Sequence, residues 1–134
     1  GYGARDITDV LNSVRSPFNV SSLGLKMAEL SIADVNFVNE QRELNRLNRD
    51  MLRNKLLDLG LKIDQSFANF LLVRFVSEEQ ANTIDSFLKE NGFILRKVGS
   101  YGLPKCLRLS IGNKETCERL YQTLAKYFDN NDRV

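Results

Sequence analysis

The fold turns on FILRKVGSYGLPKCLRLSIG, residues 93–112, where two apolar-rich runs flank a loop marked by Gly99, Gly102 and Pro104. Glycine and proline punctuate turns, so FILRKV and CLRLSI read as successive strands joined by GSYGLP. Side chains alternate across a strand. Leu107, Leu109 and Ile111 then share one face, and Arg108 and Ser110 the other. In the first strand Ile94, Arg96 and Val98 fall together. If the strands are neighbours in suitable register, the guanidiniums of Arg96 and Arg108 can point into one space. A guanidinium is a rigid fork of donors that matches carboxylate or phosphate, and two of them suit a divalent anion. Two solvated arginines on an exposed sheet face satisfy the same alternation, and periodicity does not choose between the readings.

Working upstream, LKIDQ and NFLLVRF read as two more strands, the second nearly continuous in apolar residues and therefore central. Asn69 stands at its entrance, where a buried amide would need partners and an exposed one would satisfy a local turn. Ser77 and Gln80 form a capping box for a helix that carries Ala81, Ile84, Phe87 and Leu88 inward and stops at Gly92. Downstream, Asn113 caps a last helix with Cys117, Leu120, Tyr121, Leu124 and Phe128 on its apolar face, followed by the polar tail DNNDRV. From residue 61 the order is strand, strand, helix, strand, strand, helix. That order predicts an α/β (α+β) layer, a four-stranded sheet packed by helices.

Residues 1–60 carry helical signals alone. Ile7, Val10, Leu11 and Val14 are spaced for one helix, and SPFNVSS interrupts it at Pro17. Ser21 or Ser22 caps a second helix that is apolar around most of its circumference. Asp34 caps a third, running to about residue 59, which would span roughly 35 Å at about 1.5 Å per residue. Gly60 closes it. Arginines along this helix alternate with Glu40, Glu43, Asp50 and Asp58, which reads as a solvated face rather than a nucleic-acid stripe.

The composition narrows the chemistry. The 134 residues include no histidine, so Ser-His-Asp, Cys-His and histidine-ligated metal chemistry are absent from the chain. Two cysteines, Cys106 and Cys117, lack the spacing of a zinc site, and Cys117 reads as core. A net charge of +2 provides no general electrostatic case for nucleic acid or an anionic membrane. No apolar run reaches the length of a membrane span, and the first residues lack the basic and apolar regions of a signal peptide. The expected compartment is the cytoplasm.

Four stretches together resemble the C-terminal part of histidinol-phosphate aminotransferases, within the class I/II pyridoxal-phosphate aminotransferases: GYG at 1–3, RSPFNVSSLG at 15–24, SFANFLLVRF at 66–75 and NGFILRKVGSYGLPKCLRLSIG at 91–112. The resemblance implies the small domain of a fold-type-I enzyme. Residues 61–134 would be that domain, 35–60 an interdomain helix, and 1–34 the terminal helices of the large cofactor-binding domain. It implies that Arg108 and Arg96 hold the substrate's anionic group, with Asn69 beside the site. The substrate would be a small anionic amino compound, and the enzyme a dimer. The Schiff-base lysine of the family lies upstream of the GYG match. The chain is therefore expected to hold no catalytic residue, no metal and no bound pyridoxal phosphate, and to be inactive alone. A stand-alone binding or oligomerisation module, or a related enzyme such as a threonine-phosphate decarboxylase, is the alternative.

Overall fold

In the computed structural model, residues 3–16 and 19–130 are described. Two compact units divide the chain at residues 1–38 and 39–134.

Two helices open the first unit: α1 (Arg5–Val14) and α2 (Ser22–Ala33). Of the two candidate caps for α2, Ser21 is the one used; its Oγ accepts the Gly24 N–H at 3.1 Å. Pro17, the expected breaker, lies outside the described residues. Neither helix contains a buried residue.

The long helix α3 (Val35–Asp58) begins at Asp34, whose Oδ1 accepts the Phe37 N–H at 3.1 Å. It ends before Gly60, which takes φ 85°. From residue 39 onward its apolar seam is graded. Leu52 and Leu56 are fully buried, while Leu44 and Leu47 stay about half exposed.

A four-stranded sheet forms the centre of the second unit: β1 (Lys62–Ile63), β2 (Phe70–Arg74), β3 (Arg96–Lys97) and β4 (Cys106–Ser110), in the order β1-β2-β4-β3 and antiparallel throughout. The other helices of the unit are α4 (Glu78–Glu90) and α5 (Lys114–Asn130). Alternation along β2 and β4 sends Leu71, Val73, Leu107 and Leu109 into the core with Leu52, Leu56, Ile84, Leu88, Leu120, Leu124 and Phe128. The helices thus cover one sheet face, as the α/β layer requires. Ser77 caps α4 by accepting the Gln80 N–H at 3.1 Å. The Gln80 side chain reaches back to the Val76 N–H, one residue short of the usual capping-box partner. Asn113 Oδ1 accepts the Thr116 N–H at 2.8 Å and starts α5. That helix extends into the polar tail as far as Asn130, and residues 131–134 lie outside the described set.

The run FILRKV departs from expectation. Only Arg96 and Lys97 pair with β4. Ile94 is 86% exposed, yet Val98 is buried, so the two do not share a face with Arg96 between them. Val98 has ψ 21° and leads directly into a 3-10 turn at Gly99–Tyr101, which ends the alternation.

Candidate anion site on the open sheet face

Antiparallel pairing puts Arg108 opposite Leu72 on one side and opposite Arg96 on the other. All three therefore lie in one row across the sheet, on the face away from the core. The strands are neighbours, and their register aligns the two arginines. Like charges directly opposite each other on neighbouring strands destabilise the pair, so this row invites a counter-charge.

Each guanidinium is steered by an aromatic ring. Arg108 lies over Phe70, with Cζ 5.0 Å from the ring centroid. Arg96 donates from Nη2 to the Tyr101 hydroxyl at 2.9 Å and lies 5.7 Å from that ring's centroid. Phe70 shares the face of Arg108 because it stands two residues before Leu72 in β2. Tyr101 is delivered by the 3-10 turn that follows β3. Spacing in the sequence announces neither contact: Phe70 reaches Arg108 through strand pairing and Tyr101 reaches Arg96 through the turn.

Among the described residues, neither Arg96 nor Arg108 has a carboxylate partner. The Nε of Arg108 is buried and makes no hydrogen bond. Three other arginines differ. Arg46 pairs with Glu43 and Asp50, Arg49 with Asp50, and Arg74 with Asp64 at 2.6 Å. The Arg74 hydrogen bonds hold the Asp64 carboxyl below its ordinary range. A buried guanidinium N–H without an acceptor costs free energy until one arrives.

Asn69 is placed differently. It stands one residue before β2, with the parity of Leu71 and Val73, and it is exposed. Its carbonyl accepts the Ile111 N–H at 2.8 Å, which extends the β2–β4 pairing. The approach to it is fixed from α3, where Asn45 Nδ2 and Arg49 Nη1 both donate to the Ala68 carbonyl, at 3.3 and 3.4 Å. Arg49 is only 7% exposed, and Arg53 donates to the Ile63 and Asp64 carbonyls. The arginines of α3 are thus partly structural, where their alternation with acids had suggested solvent alone.

Cys117 is buried, as expected, and burial raises its thiol pKa. Cys106 is buried too, with Arg74 Nη1 at 3.7 Å from its sulfur. No group of acids and cysteines able to hold a metal occurs among the described residues. Nor is any helix among them long and apolar enough to cross a membrane.

The α/β layer thus leaves one sheet face open, with Arg96 and Arg108 aligned across it. The model for aminotransferase class I and II matches residues 1–124, and the chain belongs to that family. Among curated relatives, the histidinol-phosphate aminotransferase of Jannaschia sp. (strain CCS1) is 45% identical over 124 residues, covering 92% of this chain and 34% of the relative. That of Paracoccus denitrificans (strain Pd 1222) is 41% identical over 127 residues, covering 95% and 35%. The chain thus spans about a third of the length of the curated relatives it matches. The crystal structure of histidinol-phosphate aminotransferase from Sinorhizobium meliloti in complex with pyridoxal-5'-phosphate superposes with a TM-score of 0.85 at 21% identity, over 93% of this chain and 34% of that one. The fold is that of the type I pyridoxal-phosphate aminotransferases.

Proposed function

We propose that this chain is the substrate-anchoring part of a pyridoxal-phosphate-dependent aminotransferase that acts on histidinol phosphate, with 2-oxoglutarate as amino acceptor, in histidine biosynthesis. One observation carries the reading: Arg96 and Arg108 stand opposite each other on the open sheet face, and no carboxylate among the described residues pairs with them. A phosphate monoester supplies the missing charge and acceptors for the guanidinium forks. The same fork accepts the carboxylate of glutamate or 2-oxoglutarate, so one anchor serves both halves of a transamination. Asn69 is assigned a place at the edge of the site. The names of the relatives support the choice of substrate.

In this reading residues 61–134 are the small domain, 35–60 the interdomain helix, and 1–34 helices of the large domain of a cytoplasmic dimer. Pyridoxal phosphate, when bound, supplies the electron sink of the reaction. The described residues of this chain do not fit it. Covalent attachment needs a free amine held against the cofactor in an enclosed site, whereas Lys26, Lys55, Lys89 and Lys97 are paired with carboxylates and Lys62, Lys105, Lys114 and Lys126 are exposed. The 134-residue chain alone is accordingly assigned no transaminase activity.

The test is to express the complete reading frame and assay glutamate-dependent transamination of imidazole acetol phosphate. Turnover is expected. A protein that binds pyridoxal phosphate but does not turn this substrate over removes the substrate assignment.

A further inference from the structure

Arg96 sits on the shortest possible ladder. Strand β3 pairs with β4 over two residues, at the edge of the sheet, and the arginine directly opposite repels it. Two backbone pairs specify a register weakly. Leu95 packs against the core and Val98 is buried, and the residue beside Arg96 adds a polar tie from the other face.

Lys97 donates to Asn82 Oδ1 at 2.7 Å and lies 3.4 Å from Asp85 Oδ2. Both partners belong to α4, which packs against the core side of the sheet. Asp85 is 1% exposed, and its Oδ2 also accepts from Lys89 Nζ at 2.7 Å, while Oδ1 is buried without a partner. A carboxylate so enclosed is an unusual choice for the core side of an amphipathic helix, since burying a charge is costly unless it is paired. Its two ammonium partners differ in kind. Lys89 is one turn along the same helix, whereas Lys97 ties the helix to β3.

We propose that Asp85 and Lys97 are positioning residues for Arg96: the ion pair fastens β3 to α4 and so holds the neighbouring guanidinium in line with Arg108 for a phosphate-bearing ligand. The inference rests on the reading of Arg96 and Arg108 as the anion anchor. It makes α4, which never reaches the open face, a determinant of affinity at that face.

The experiment titrates the 134-residue chain with inorganic phosphate, following backbone amide NMR shifts of β3 and β4, and records thermal midpoints alongside. Arg108→Met reports on the anchor itself and is expected to abolish the phosphate-dependent shifts. Lys97→Met should weaken phosphate binding roughly fivefold, and Lys97→Arg, which keeps a cation over Asp85, should restore it. Lys89→Met removes the other partner of Asp85 without touching β3. It should lower the thermal midpoint but leave phosphate affinity unchanged. Equal affinity losses in Lys89→Met and Lys97→Met, or no loss in Lys97→Met while Arg108→Met abolishes binding, overturns the positioning role alone. No phosphate-dependent shift in the unmodified chain overturns the anchor and the positioning role together.

Discussion

Arg108 stands between Leu107 and Leu109 because strand alternation separates charge from core at a spacing of one residue, and the structure keeps that separation. The alternation was readable from the sequence. The partner across the ladder was not, since register depends on how GSYGLP turns and on which β3 residues pair. Phe70 and Tyr101 were equally hidden, because they reach the arginines through pairing and through the 3-10 turn. If the fork geometry matters, Arg108→Lys should fail despite keeping its charge. In the whole protein it should raise KM for histidinol phosphate by about tenfold, equivalent to roughly 1.4 kcal/mol, with visible cofactor absorbance unchanged.

Asp64 offers a separate residue-level check. Its carboxyl is held low by Arg74 hydrogen bonds. A carboxyl whose folded pKa lies below its unfolded value of about 3.9 contributes stability above that value and loses it as pH falls through the folded pKa. Arg74→Met should therefore move the Asp64 side-chain titration, followed by carbon NMR, back toward the ordinary range and flatten acid dependence below about pH 4. An unchanged Asp64 titration contradicts the pairing.

At the scale of elements, helices were more legible than strands. Ser21, Asp34, Ser77 and Asn113 all cap the helices expected of them, because capping is a local bond between near neighbours. Strand length is a tertiary matter. FILRKV carries strand composition over six residues, yet only Arg96 and Lys97 pair with β4, and the chain turns at Val98. Arg49 and Arg53 of α3 were misjudged for the same reason: their acceptors, the carbonyls of residues 63, 64 and 68, come from β1 and the segment after it, beyond the helix itself. Gly92 ends α4 at φ 81°, with open space around a would-be Cβ. Gly92→Ala should cost only the left-handed backbone penalty, about 1 kcal/mol, measured by urea denaturation. A loss of several times that would mean a side-chain clash the geometry does not show.

For the molecule as a whole, the two units contrast. Residues 39–134 hold every buried side chain described, whereas α1 and α2 expose Ile7, Val10, Leu11, Leu25 and Leu30, each by at least 55%. Apolar faces of that kind mark surfaces made to be covered. The chain should accordingly self-associate, with its sedimentation coefficient rising with concentration, and Leu11→Glu should reduce the effect; a monomer at all concentrations would argue against it. Composition could exclude histidine chemistry outright, but not reveal which faces stay bare, since that depends on what packs where.

The central claim is that Arg96 and Arg108 grip the substrate's phosphate. Its most direct test is the ratio of kcat/KM for histidinol phosphate to that for its dephosphorylated counterpart, measured in the whole protein and in Arg108→Ala and Arg96→Ala. The account predicts a strong preference for the phosphorylated substrate that falls by on the order of a hundredfold in Arg108→Ala, about 2.7 kcal/mol, and by a smaller factor in Arg96→Ala. A preference that survives both substitutions intact would contradict it.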